Sequence, residues 1–118
     1  MPLIQVFTSA AAPADGSKEL LADLSKLAAA SFGKPERWVM TCLVPGLPMT
    51  FGQDDAAAPA AFVTVRNVGK MGGDLTEKLS QEICGRVSRA LDVPFDRIYI
   101  DFGDAVGAMW GWNGETFG

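Results

Sequence analysis

The two halves of the chain carry the same order of sequence signals, and this repeat limits the possible folds more than any other feature. Each half contains an apolar strand, a helix, a proline, a charged pair and a second strand, and residues 33–39 correspond to residues 92–98. Two β-α-β units side by side form a four-stranded sheet, and right-handed crossovers place both helices on one of its faces. The repeat therefore predicts an α+β protein built from two related β-α-β units.

Hydrophobic spacing predicts the elements of each half. The predicted strands are short apolar runs, and they comprise residues 1–8, 38–44, 60–65 and 97–102. Apolar residues at helical spacing predict helices over 17–31 and 75–91, with Ser17 as the N-cap of the first. The loop over 45–59 is long for a compact domain, which is typical of a functional or intersubunit element. The tail over 109–117 is compatible with a short hairpin.

One face of the predicted sheet has no cover. Both helices lie on the other face, yet the strands are strongly apolar, and the strand over 38–44 is expected to be covered on both of its faces. An exposed apolar face of this size is unfavourable in a monomer. The sequence therefore predicts that the chain associates with further copies of itself.

Length, charge and composition exclude several classes of function. A chain of 118 residues is predicted to form one domain over 1–118. The net charge of -4 argues against nucleic acid or an anionic membrane as a partner, and no window reaches the length of a membrane span. The N-terminus lacks the features of a secretory signal, which predicts a cytoplasmic protein. Cys42 and Cys84 form no CxxC and are expected to be reduced thiols.

The absence of histidine restricts the possible chemistry. It removes the commonest general base and the commonest metal ligand, and no metal or other cofactor is predicted. Acid-base chemistry near neutral pH then needs a lysine, a carboxylate, a tyrosine or a terminal amine with a shifted pKa. Pro2 begins an apolar strand, and removal of Met1 would leave its secondary amine fixed in the sheet. The alternative is that Pro2 only begins the strand.

Six short segments follow one another along the chain in a specific order. They are Met1-Pro2, Gly33-Lys34-Pro35, Pro48-Met49-Thr50-Phe51-Gly52, Val68-Gly69-Lys70, Asp96-Arg97-Ile98-Tyr99-Ile100, and Gly111-Trp112-Asn113 with Thr116-Phe117. Together they resemble the macrophage migration inhibitory factor (MIF) family of the tautomerase superfamily. The resemblance implies the tautomerase/MIF fold, a pseudo-twofold repeat of β-α-β units with a four-stranded mixed sheet and two helices on one face. It also implies a homotrimer with active sites between neighbouring subunits.

The resemblance implies roles for four residues. Pro2 would be the catalytic base, and Lys34 would bind the carboxylate of the substrate. Val68 would contact the substrate through its backbone, and Tyr99 would reach the pocket from the adjacent subunit. An ordinary α-amine is mostly protonated at pH 7. Burial in an apolar pocket and the nearby charge of Lys34 would lower the pKa of the amine enough for proton abstraction.

Three pocket positions differ from the pattern of the family. Asp101 stands where the best-known members often have asparagine, and its carboxylate is expected to weaken the binding of an anionic substrate. Trp38 and Trp110 alter the aromatic lining of the pocket wall. Residues 60–63 replace the CxxC that some members use in thiol-disulfide chemistry, so no redox role is expected.

Two classes of function remain open. The first is a keto-enol tautomerase for small α-keto acids such as phenylpyruvate, and for dopachrome-like compounds. The second is a cytokine-like or host-interaction protein with a vestigial pocket, exported without a signal peptide. Without the resemblance, Lys34 would be a solvated charge and Tyr99 a strand residue at the rim, while Trp38, Trp110 and Trp112 would be core or interface anchors.

Overall fold

The fold is a four-stranded sheet with two helices, seen in a computed structural model that describes residues 1–14, 16–52 and 58–118. The sheet consists of β1 (Leu3–Thr8), β2 (Met40–Val44), β3 (Ala61–Val68) and β4 (Ile98–Ala105). The strand order is β2-β1-β3-β4. β1 pairs in parallel with β2 and antiparallel with β3, and β3 pairs in parallel with β4. The predicted mixed sheet of two β-α-β units is confirmed.

The two helices end in the same way, which is the clearest sign of the repeat. Helix α1 (Ser17–Phe32) is followed by Gly33 with φ 63°, and helix α2 (Gly73–Leu91) by Asp92 with φ 57°. Both residues are therefore left-handed, a conformation that ends a helix. A proline and a single 3-10 turn come next in each half, and these turns are Glu36–Trp38 and Phe95–Arg97.

The same register relates the paired strands of the two halves. Leu3 pairs with Met40 in the first half, and Phe62 pairs with Tyr99 in the second. Met40 directly follows residues 33–39 and Tyr99 directly follows the corresponding residues 92–98, so Leu3 and Phe62 hold equivalent places. Because Ala61 directly precedes Phe62, it holds in the second half the place that Pro2 holds in the first.

Both helices pack on one face of the sheet, as the repeat predicts. Alternate residues of β1 and β3 point toward the helices, which is the period of a strand. The largest buried apolar side chains of this core are Ile4, Val6, Leu24, Val63, Val65, Leu79, Ile83 and Val87. Arg86 of α2 also joins the helices through an ion pair with Asp23 of α1, at 3.0 Å.

Several details of the predicted helices and strands are wrong. Ser17 is the first helical residue of α1 rather than its N-cap, which is Gly16 and makes no side-chain cap hydrogen bond. The strand predicted from residue 38 begins at Met40, because Glu36–Trp38 form a 3-10 turn. No residue of β2 is fully buried and Met40 is 65% exposed, so within one chain the second face of this strand has no cover.

The uncovered face of the sheet is mixed rather than uniformly apolar. One row across the strands is aromatic and consists of Phe7, Phe62 and Tyr99. The next row is polar and consists of Gln5, Thr64 and Asp101, with Thr64 Oγ1 donating a hydrogen bond to Gln5 Oε1 at 2.9 Å. The prediction of a strongly apolar face is therefore wrong, because the apolar residues of these strands are divided between the two faces.

A small hairpin follows the sheet, where the tail was predicted to be compatible with one. It consists of β5 (Gly111–Trp112) and β6 (Glu115–Thr116). Its turn uses Asn113 and Gly114 with φ 54° and 80°, the left-handed pair that suits a two-residue hairpin turn. Gly107 admits the end of this hairpin, because a Cβ there would lie 2.6 Å from the Phe117 carbonyl oxygen. The hairpin is thereby held against the chain that follows β4.

Candidate functional site

A cleft opens at the beginning of β1, and its volume is about 240 Å³. Pro2 forms its floor and is fully buried, and the Pro2 carbonyl accepts a hydrogen bond from the Met40 N–H at 3.0 Å. The lining comes from the N-terminus, the turn before β2 and the terminal hairpin, and it comprises Met1, Pro2, Leu3, Trp38, Met40, Trp110, Gly111, Trp112 and Phe117. The cleft therefore brings the predicted residues Pro2, Trp38 and Trp110 together.

Three aromatic rings form one wall of the cleft. The ring centroids of Trp38 and Trp112 are 4.8 Å apart with an interplanar angle of 77°. Phe117 stacks on Trp112 at 6.1 Å and meets Trp38 edge-on at 6.0 Å. Edge-to-face and stacked pairs are the favoured arrangements of aromatic side chains. The three rings therefore form a continuous apolar surface on one side of the cleft.

Lys34 is positioned by the end of α1. Its backbone N–H donates to the Ala29 carbonyl at 3.0 Å, the bond expected after a left-handed glycine at a helix end. Its ammonium reaches β3, where it donates to the Val68 carbonyl at 2.6 Å and to Asn67 Oδ1 at 3.1 Å. Lys34 makes no ion pair with any residue that the structure describes. Its charge therefore remains uncompensated.

The α-amine of Met1, at the cleft, has a lowered pKa. Desolvation by burial, a hydrogen bond with Lys34 and the charge of Lys34 together lower the pKa of the Met1 α-amine from 8.0 to about 5. An amine with this pKa is uncharged at neutral pH and can accept a proton. The nitrogen of Pro2 stands next to it, at the floor of the same cleft, and would become the terminal amine if Met1 were removed.

Tyr99 and Asp101 do not lie at this cleft within one chain. Both are exposed on β4, and the Tyr99 ring contacts Phe51 with a centroid distance of 4.9 Å. The strand β3 separates β4 from β1. Leu3 is level with Gly103 through the paired strands, so Tyr99 is about 13 Å further along β4 and two strand spacings of about 4.8 Å away.

The sequence reasoning missed four residues around the cleft. Trp112 and Phe117 were quoted as part of the resemblance but not placed at the site, and Met40 carried no signal of its own. Asn67 contacts Lys34 and is only 4% exposed. A polar residue that continues the buried alternation of Val63 and Val65 could have indicated it, because a buried amide needs a hydrogen-bond partner.

Other reactive groups lie apart from the cleft. Burial raises the pKa of the Cys84 thiol, and Cys42 is half-buried on β2, with neither thiol in a disulfide. Residues 1–14, 16–52 and 58–118 hold no group of three His, Cys, Asp or Glu side chains that could bind a metal ion. Over the same ranges, no helix is both long enough and apolar enough to cross a bilayer.

The fold and the cleft together define a class of protein: a repeated β-α-β unit whose candidate site surrounds a terminal amine of lowered pKa. Comparison with known families gives the same result. The family model described as "Macrophage migration inhibitory factor (MIF)" matches residues 1–118. The chain belongs to the MIF family, in the tautomerase superfamily.

Individual relatives agree with this assignment. A macrophage migration inhibitory factor of Xenopus tropicalis is 37% identical over 98 residues, covering 83% of this chain and 84% of the relative. The protein of the same name from Mus musculus is 37% identical over 98 residues, with 82% and 83% covered. The crystal structure of a homologue from Prochlorococcus marinus is 43% identical, with a TM-score of 0.92 over 98% of this chain and 99% of that one.

Proposed function

We propose that the chain is a keto-enol tautomerase for small aromatic α-keto acids such as phenylpyruvate, with the Pro2 amine as general base after removal of Met1. The observation that carries this proposal is the apolar cleft around Pro2, where burial and Lys34 already lower the pKa of the neighbouring Met1 α-amine. Tautomerase activity is general to the family, which supports the reaction class. Dopachrome-like compounds are further candidate substrates, because they offer a carboxylate on a planar ring.

The proposed reaction moves one proton between two atoms of the substrate. The neutral amine of Pro2 removes a proton from the carbon beside the carbonyl, and the electron pair of the C–H bond forms the enolate. The proton then returns to the enolate oxygen to give the enol. Because the amine receives one proton and releases one, the enzyme ends the cycle unchanged and needs no cofactor.

Lys34 and the aromatic wall would orient the substrate. Val68 and Asn67 fix the position of the Lys34 ammonium, and its positive charge would attract a substrate carboxylate. The ring of the substrate would pack on Trp38, Trp112 and Phe117. The backbone at Val68, beside the Lys34 ammonium, would contact the carboxylate end of the substrate.

The complete site would need a second subunit. We propose a homotrimer in which an adjacent subunit brings Tyr99 to the cleft, where its hydroxyl donates a hydrogen bond to the developing enolate. Tyr99 is 67% exposed and Phe62 beside it is 39% exposed, as expected of a surface that another copy covers. Asp101 lies two residues from Tyr99 on β4 and would approach the same cleft, where its carboxylate would weaken the binding of anionic substrates.

A second candidate function rests on the names of the relatives. Those from Xenopus and Mus are called macrophage migration inhibitory factors, which favours a cytokine-like or host-interaction role. In this role the cleft would be vestigial and the protein would leave the cell without a signal peptide, whereas the proposed enzyme acts in the cytoplasm. The two functions differ in whether the terminal amine has to be free.

The test compares phenylpyruvate turnover by the Met1-free protein and by a Pro2→Gly variant, with Met1 removal checked by intact mass spectrometry. Pro2→Gly should lower kcat/KM by at least about tenfold, because a flexible primary amine replaces the secondary amine fixed by the ring. Pro13→Gly, in the loop before α1, is the matched control and should retain activity. Full activity of Pro2→Gly in an intact assembly would rule out Pro2 as the base and favour the second function.

A further inference from the structure

On β3, the described hydrogen-bond acceptors of the Lys34 ammonium are neutral oxygen atoms. The Val68 carbonyl accepts one of its N–H bonds and the Asn67 amide accepts another. A carboxylate at either place would form a stronger hydrogen bond, but it would cancel the positive charge. Neutral acceptors fix the position of the ammonium and leave its electric field intact. A fixed ammonium with an uncompensated charge can lower the pKa of a neighbouring amine.

Asn67 is a polar residue at a buried position of β3. It lies on the core face of β3 in line with Val63 and Val65, and it is 4% exposed. Burial of an amide among apolar side chains is unfavourable unless the amide is hydrogen-bonded. The bond that the structure gives to its Oδ1 comes from Lys34. The side chain of Asn67 is therefore matched to that ammonium.

The field of Lys34 acts on the terminal amine. Desolvation has the largest effect on the pKa of the Met1 α-amine. Lys34 lowers this pKa further, both through a hydrogen bond and through its positive charge. The other charged side chains on the surrounding turns and strands are Glu36, Arg37, Arg66, Lys70, Asp101 and Asp104. Among the described residues, none of these contributes to the lowered pKa. Glu36 accepts a hydrogen bond from Ser25, and Asp104 accepts one from the Met71 N–H.

We propose that Asn67 is a positioning residue, which holds the Lys34 ammonium beside the terminal amine and the substrate carboxylate without neutralising it. The effect of Asn67 on substrate turnover rests on the proposed tautomerase function. Its electrostatic effect on the amine does not, because that effect exists in the free protein.

The test replaces Asn67 by aspartate, which keeps the shape and the acceptor oxygen and adds one negative charge. Asn67→Asp should raise the pKa of the terminal amine by about one unit or more, because the carboxylate compensates Lys34. The pKa is measured directly by NMR titration of protein whose N-terminal residue is labelled with ¹⁵N. The KM for phenylpyruvate should rise several-fold, while kcat at alkaline pH changes less. Gln81→Glu adds the same charge on the exposed face of α2 and should leave both values unchanged.

A second variant separates charge from simple loss of structure. Asn67→Ala removes the acceptor without adding a charge, so it should shift the amine pKa much less than Asn67→Asp. Equal shifts in the two variants, or an unchanged amine pKa in Asn67→Asp, would overturn the proposal. The titration requires no turnover. A protein without tautomerase activity, but with the expected pKa shift, would contradict the proposed function and still support the role of Asn67.

Discussion

At the scale of single residues, the amine and Lys34 form a pair in which burial, and then Lys34, keep the amine uncharged at neutral pH. The lowered pKa means that the amine is neutral above about pH 5, where an ordinary terminal amine would stay charged up to about pH 8. Between these two values the unfolded chain binds more protons than the folded one. This group therefore opposes folding most at and below about pH 5, and the penalty disappears as the pH rises toward 8.

The pH profile of turnover should report this pair. For phenylpyruvate, kcat/KM should rise with pH through a midpoint below the ordinary pKa of a terminal amine, because only the unprotonated amine is a base and the Pro2 amine would meet the same burial and the same Lys34 charge. Lys34→Met removes the charge and should move the midpoint upward, in addition to raising KM. Lys26→Met, on the exposed side of α1, is the control. A midpoint that stays in place in Lys34→Met would mean that Lys34 does not control the amine.

Single residues of the site were predictable where the motif itself contained them. Pro2, Lys34, Trp38 and Trp110 follow from the resemblance, and the structure places them around one cleft or next to it. Asn67 could not be found in this way, because its role depends on the distance from its amide to an ammonium 33 positions earlier in the chain. A sequence pattern contains residue order but not that distance.

At the scale of elements, the two helices hold the sheet that positions the cleft. Ile83 lies in the middle of α2 and is fully buried. Ile83→Ala should lower the free energy of unfolding by about 2–5 kcal/mol, because it removes apolar contacts and leaves a cavity. Urea unfolding at a fixed protein concentration measures the change, and Lys78→Ala on the exposed face of α2 is the control. Equal effects of the two substitutions would show that α2 does not pack as described.

The existence of each element was predictable, while several boundaries were not. Apolar residues at a regular spacing predicted both helices and all four strands. The strand predicted over 97–102 is Ile98–Ala105 in the structure, because its pairing with β3 continues to Ala105. The absence of a side chain at Gly103 also has a use, since a Cβ there would lie 2.9 Å from Arg66 Cδ. Pairing with a neighbouring strand therefore decides where β4 ends.

At the scale of the whole molecule, the proposed assembly divides each site between two chains. A mixture of Lys34→Met and Tyr99→Ala subunits should regain activity that neither variant has alone. In randomly mixed trimers about one site in four would combine an intact Lys34 with an intact Tyr99 from the neighbour. Activity is measured after the two proteins are unfolded and refolded together, and each variant refolded alone is the control. Activity no higher than the mean of the two controls would contradict a shared site.

The arrangement of the two halves was predictable, but the character of the open face was not. The repeat specified two β-α-β units and the face that carries the helices, because handedness and connection length leave few alternatives. Counting apolar residues in each strand overlooked their alternation. The row of Gln5, Thr64 and Asp101 becomes visible only when the register of three strands is known.

The repeat also has a consequence for how many reactive centres one polypeptide can contain. A second hollow, lined in part by Ala60, Ala61, Phe62 and Tyr99, occupies in the latter half the place of the cleft in the first. The nitrogen of Ala61 belongs to a peptide bond, so it lacks the basicity of an amine. On the proposed chemistry, joining two copies of this protein into one gene product would double the scaffold and leave a single working nitrogen.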